Sequence, residues 1–123
     1  MTYFVYLPLV ENGTMPASVE IFDILYDGVV PYVESDEYAA IKNTGSSPVG
    51  LSGWRLNAGA PGQDFWFPDF TMQPGQVCRV YTNEAHPEWC GFSFGSGSAL
   101  WNNSGDCGYL YDGSGNLVST YCY

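Results

Sequence analysis

Positive charge is nearly absent from this chain: three Lys plus Arg stand against thirteen Asp plus Glu, giving a net charge of −10 over 123 residues. Proteins that hold nucleic acid do so with cationic side chains that displace counterions from phosphates, and here only Lys42, Arg55 and Arg79 are on offer. DNA and RNA are therefore poor partners, whereas solubility and the attraction of cations or basic partners are favoured. Long apolar runs are missing too. The stretch MTYFVYLPLV at Met1 to Val10 falls far short of the ~20 residues a spanning helix needs, so no membrane insertion is expected, and it has no basic flank like a signal peptide. No window of a dozen residues keeps a helical apolar period, because Gly or Pro interrupts each candidate. A short helical turn near Glu84 to Glu88 is the exception the pattern allows.

What is present describes many short strands joined by tight turns: 15 Gly, 8 Pro and 17% aromatic residues. At this length a single domain can bury ~65% of its unfolded surface, enough to fold without a partner. In Tyr38 to Asn43, Ala39, Ile41 and Asn43 fall on one face and Tyr38, Ala40 and Lys42 on the other, the period of two of a half-buried strand. The string NTGSSP at Asn43 to Pro48 then turns the chain, and Val49, Leu51, Trp54 and Leu56 supply the next apolar set. A β-arch or hairpin closed by a buried Trp54 is expected. The first sandwich strand is Val19 to Tyr26, with Val19, Ile21 and Leu25 facing in and Asp27-Gly28 ending it. Phe65, Phe67, Phe70, Met72, Val80, Leu110 and Val118 join the expected core of an all-β chain of eight or nine strands.

The order of these motifs carries a resemblance. DEYAAIKNTGSSPVGLSGWRL at Asp36 to Leu56, the aromatic DFWFPDFTM at Asp64 to Met72 with its Phe-Pro, the turn QPGQ before VCRVYT, and the closing hairpin from Trp101 through GDCGYLYD, GSGN and LVSTY together resemble the lamin-tail domain. That family is an immunoglobulin-like antiparallel β-sandwich, found on nuclear lamins and as a module in bacterial exported proteins, and the resemblance covers roughly Ser18 to Tyr123. It implies an N-terminal extended segment or linker at 1–18 and a sandwich domain at 19–123. Lamin tails associate with chromatin through basic surface that this sequence lacks, so that role does not carry over.

Four cysteines, Cys78, Cys90, Cys107 and Cys122, allow three disulfide connectivities. The preferred pairing is Cys78 with Cys90, pinning the loop NEAHPEW, and Cys107 with Cys122, stapling the closing hairpin; each closed loop is worth ~3 kcal/mol by chain entropy. Simple alternation turns Cys107 out beside Tyr109 and Tyr111 but Cys122 in with Val118 and Thr120, so the second bridge requires a bulge. No CxxC spacing supports a zinc site.

Chemistry-bearing candidates are few. His86, the only histidine, lies between Glu84 and Glu88 and reads as a loop histidine, with metal ligand or general base as the competing reading. No GxSxG nucleophile elbow occurs. GFSFGSGS at Gly91 to Ser98 lacks the Lys of a phosphate loop and reads as surface loop. For calcium, Asp112 to Asn116 reads as a hairpin turn and the cluster Glu34, Asp36, Glu37 as a solvated loop, since neither has the spaced carboxylates of a calcium loop. No cofactor, no metal and no catalytic residue are expected, and the chain is read as not an enzyme.

The outward aromatic set is the remaining feature. Parity turns Tyr38, Trp66, Tyr109, Tyr111 and Tyr121 away from the core, where they form candidate contacts unless the N-terminal decapeptide or the loop Asn83 to Leu100 covers them. The resulting expectation is a noncatalytic module of a larger secreted or cell-surface protein, serving protein interaction or acting as a structural spacer. Two alternatives are a carbohydrate-binding accessory domain using exposed aromatic side chains and an edge-strand assembly module self-associating through Met1 to Val10. The partner expected is accordingly an unknown protein or a polysaccharide.

Overall fold

The computed structural model describes residues 18–31 and 33–123. The expectations for Met1 to Val10 and for the linker up to residue 17 lie outside the described residues. Ten strands form among the described residues: β1 (Val19–Leu25), β2 (Tyr38–Asn43), β3 (Val49–Gly50), β4 (Arg55–Asn57), β5 (Asp64–Trp66), β6 (Thr71–Met72), β7 (Val77–Tyr81), β8 (Phe92–Ser93), β9 (Cys107–Tyr111) and β10 (Leu117–Cys122). A 3-10 turn at Pro87–Trp89 lies between β7 and β8, overlapping the end of the Glu84 to Glu88 stretch where the sequence allows a helical turn.

The strands make two four-stranded sheets, ordered β1-β2-β7-β8 and β10-β9-β4-β5, with β3 and β6 paired in a small third sheet. Pairing is antiparallel except for β7 with β8, which run parallel. The core between the layers draws Ile21, Ile41 and Val80 from the first sheet and Leu56 and Leu110 from the second, joined by Leu51 and Met72. Each such side chain, fully buried, contributes ~1.5–3 kcal/mol. This is the immunoglobulin-like β-sandwich that the family resemblance implies.

Asn43 explains how the chain leaves the first sheet at the end of β2 and enters the small β3-β6 sheet. Its side chain is completely buried; Nδ2 donates to the carbonyls of Ser47 (2.9 Å) and Met72 (3.0 Å), and Oδ1 accepts from Gly45 N–H (3.0 Å). A buried amide with these partners incurs no desolvation loss and fixes the turn as an arch rather than a hairpin. Trp54, expected as the buried indole of this arch, is only half-buried at the edge of the core. The deeply buried indole is Trp101, 2% exposed. It lies over β9 at Gly108, where a Cβ would stand 3.1 Å from Ile24 and 3.2 Å from its ring, so the indole packs closely on the bare backbone.

Two bulges overturn the simple alternation. In β1 the register slips between Ile21 and Asp23, which leaves Asp23 outside with Phe22, brings Ile24 into the core and leaves Leu25, expected inside, exposed. In β10 the slip falls between Leu117 and Ser119, so Val118 is exposed and not a core residue. From there Ser119 and Tyr121 face inward, with Tyr121 against the core, while Thr120 and Cys122 face outward. Tyr121 is thus removed from the outward aromatic set. Cys122 comes to lie directly opposite Cys107, on the outer side, and the bulge is the one the bridge requires.

Both preferred disulfides are formed, Cys78–Cys90 with Cα atoms 5.4 Å apart and Cys107–Cys122 with Cα atoms 4.1 Å apart. The segment Gly91 to Ser98 is not all surface loop. Phe92, 5% exposed, sits on parallel strand β8, with ring contacts to Phe65 (5.5 Å), Phe67 (5.2 Å) and Phe70 (5.2 Å) that close this side of the sandwich.

Candidate binding face

Register decides which outward side chains meet. On the outer side of the β10-β9-β4-β5 sheet, Arg55 is paired with Trp66 on one flank and with Tyr111 on the other, while Asn57 is paired with Asp64 and with Tyr109. Two short rows result, Trp66–Arg55–Tyr111 and, beside it, Asp64–Asn57–Tyr109. The Arg55 guanidinium carbon stands 4.1 Å from the centre of the Tyr111 ring and 5.6 Å from that of Trp66, within cation–π range of both. Arg55 Nη1 also donates to Asp64 Oδ1 at 2.9 Å, and Asn57 Nδ2 donates to the same oxygen at 2.9 Å. Partial burial pushes the Asp64 carboxyl up, and the hydrogen bonds from Asn57 and Arg55 outweigh it, holding the group below the ordinary carboxylate range. Asp64 is therefore ionised and pairs off the charge of Arg55. Trp66 remains 63% exposed, with Tyr109 and Tyr111 partly buried beside it.

The outer side of the other sheet is built on the same device and then covered. Arg79, on β7, stacks against Tyr38 (4.2 Å) and against Trp89 (3.9 Å) from the 3-10 turn, and its Nη1 donates to Tyr81 Oη at 2.9 Å. His86 stacks on Tyr81 with ring centres 4.2 Å apart, and its two ring nitrogens reach Glu84 Oε1 (2.7 Å) and Glu88 Oε2 (3.3 Å). The hydrogen bond to Glu84 raises the His86 pKa above its ordinary value, burial opposes it slightly, and Glu88 adds to the rise. Cys90 ties the end of this loop to Cys78. Tyr38 is accordingly a support for Arg79 on the covered side and does not join Trp66, Tyr109 and Tyr111.

Asp36, Glu34 and Asp112 serve their own loops, whereas Glu37, expected in a solvated cluster, is a buried tie between distant segments. Asp36 accepts from Val29 N–H (2.8 Å) and Val30 N–H (3.1 Å), and Glu34 from Gly28 N–H (3.0 Å). Glu37 is fully buried: one oxygen accepts from Thr82 Oγ1 (2.9 Å) and Leu100 N–H (3.0 Å), tying the start of β2 to the segment before Trp101. Burial raises its pKa, only partly offset by those hydrogen bonds. Asp112 Oδ1 accepts from Ser114 N–H (2.9 Å) and Asn116 N–H (3.0 Å), as a hairpin turn requires. Among the described residues no three His, Cys, Asp or Glu side chains converge in a way that could hold a metal ion. An open hollow of about 450 Å3 is lined by Glu34, Gln63, Leu100, Trp101, Asn102 and Asn103.

The family model of the Lamin Tail Domain matches residues 13–123, nearly the whole chain. The chain belongs to the lamin tail domain family. A comparison with curated proteins finds no match. In this lamin tail domain, sequence reasoning singled out Trp66, Tyr109 and Tyr111 but missed Arg55, Asn57 and Asp64. Their signal was present: in RLN and DFW the residues two apart share a face, so Arg55 and Asn57 go together, as do Asp64 and Trp66. What alternation within a strand does not give is which strands become neighbours. No helix among the described residues is long and apolar enough to cross a membrane.

Proposed function

We propose that this lamin tail domain is a noncatalytic recognition module of a larger exported protein, working through the outer side of its β10-β9-β4-β5 sheet. The observation that carries the reading is the contrast between the two outer sides. One has its arginine and rings covered by the chain's own loop, with Trp89 and His86 laid over Arg79 and Tyr81. The other carries Trp66, 63% exposed, next to an arginine whose charge is already matched. An exposed indole is apolar surface whose burial against a ligand is favourable, and neighbouring strands joined by the Cys107–Cys122 bridge hold the sheet that carries it. Two disulfides support an oxidising compartment outside the cytoplasm, because thiols in the cytosol are kept reduced. The lone histidine is engaged by Glu84 and Glu88 and stacked on Tyr81, an arrangement that secures a loop rather than activating a nucleophile.

The test is retention of the labelled domain on the envelope fraction of the cells that encode it. Retention of the wild-type domain, lost in Trp66→Ala and unchanged in Tyr38→Phe, supports the reading. Equal retention of wild type and Trp66→Ala overturns it.

A further inference from the structure

We infer that the Trp66–Arg55–Tyr111 side of the sandwich binds an uncharged polysaccharide chain, an inference that rests on the reading of this side as the working surface. The first ground is size. The rings are spread over three neighbouring strands, hence about two strand spacings or ~10 Å across, and over three-residue stretches of β4 and β5, ~10 Å along. That spread lets one short segment of an extended ligand meet all the rings at once. It suits a few sugar rings.

The second ground is chemistry. A sugar ring presents an apolar C–H face ringed by hydroxyl groups, and it is best met by an aromatic face with hydrogen-bonding groups beside it. Trp66 supplies the open indole, with the partly buried phenols of Tyr109 and Tyr111 beside it. Asp64 and Arg55, each about a quarter exposed, leave donor and acceptor capacity toward solvent beside Trp66.

Charge is the third ground, and it selects among polysaccharides. The centre of the patch is an Arg55–Asp64 ion pair at 2.9 Å, so it has no net charge to offer a charged ligand, while the whole chain carries −10. A field of that sign repels polyanions such as uronate or sulfated chains and nucleic acids. Between neutral and anionic polysaccharides the neutral chain is favoured, and its affinity will be nearly independent of salt.

The experiment is a tryptophan-fluorescence titration of the intact chain with cellohexaose, xylohexaose, laminarihexaose and mannohexaose. Polygalacturonate and heparin serve as anionic arms. Saturable binding of at least one neutral hexasaccharide is expected, weakened tenfold or more in Trp66→Ala, less in Trp66→Phe, and unaffected by Tyr38→Phe or by raising salt from 50 to 500 mM. Trp66→Ala removes an exposed side chain, and an unchanged circular dichroism spectrum verifies its fold. The inference is overturned by the absence of binding to all four at millimolar concentration, by equal binding of Trp66→Ala, or by tighter binding of an anionic chain. Envelope retention separates the two levels. If retention needs Trp66 while no neutral hexasaccharide binds or competes, the ligand class is wrong and the working surface stands; if retention ignores Trp66, both fall.

Discussion

The two outer sides of this sandwich start from the same local motif and end in opposite states. Each places an arginine between two aromatic rings: Arg79 between Tyr38 and Trp89, Arg55 between Trp66 and Tyr111. In the first, one ring comes from a loop that folds back, so the cation–π contacts fasten that loop down. In the second both rings come from the sheet itself, and among the described residues the same interaction orients side chains without covering them. The motif is therefore neutral as to purpose. What decides between closure and presentation is whether a ring arrives on a strand or on a loop, and here a disulfide at Cys90 enforces the loop's return.

Breaking the covered side has the largest expected effect. The Cys78→Ser, Cys90→Ser double variant should lose ~3 kcal/mol of unfolding free energy, measured by urea denaturation, because the bridge no longer restrains the unfolded chain. The loss should come with faster amide exchange in residues 83–91. Next comes a paired substitution of the arginines. Arg79→Ala removes two ring contacts and leaves the Tyr81 hydroxyl without its donor, at a cost of about 1–2 kcal/mol. Arg55→Ala, on the uncovered side and with Asn57 still bonded to Asp64, should cost less than ~1 kcal/mol. Equal costs would show that the two arginines do the same job.

These comparisons depend on features that the sequence reveals unevenly. Val19, Ile21, Ile41 and Leu110 are readable as core because alternation within a strand reports its inner face directly. Both disulfides are readable because each closes a short loop. Leu25, Val118 and Tyr121 are misplaced by alternation for one reason: each lies beyond a one-residue slip, and a slip belongs to the pairing of two strands and not to either strand alone. Phe92 is hidden by its glycine-rich setting, and its strand is recognisable only through parallel pairing with β7. Trp54 and Trp101 exchange roles, and the close packing of Trp101 on Gly108 belongs to the tertiary fold and not to the local pattern of either. Of the candidate site, the rings follow from parity; the ion pair that neutralises it needs the β4–β5 register.

A smaller effect sharpens the difference through pH. The His86 pKa is raised in the folded state by Glu84 and Glu88, so its stabilising contribution is complete below the ordinary value of 6.5 and is lost as pH rises through the raised one. In urea melts at a series of pH values, the deficit of His86→Asn relative to wild type should be greatest below 6.5 and shrink above it. A deficit that grows with pH would contradict this. The smallest effect belongs to the open side: Trp66→Ala should change stability by no more than ~0.5 kcal/mol, as expected for an exposed residue, while abolishing retention and binding.

Hydroxyl-radical footprinting of the free chain, read residue by residue by mass spectrometry, tests the asymmetry of the two sides most directly. Trp66 should be oxidised several-fold faster than Trp89, and Trp101 slowest of the three. Oxidation of Trp89 as fast as that of Trp66 would mean that the loop does not close over Arg79, and the distinction between a covered side and a working side would be lost.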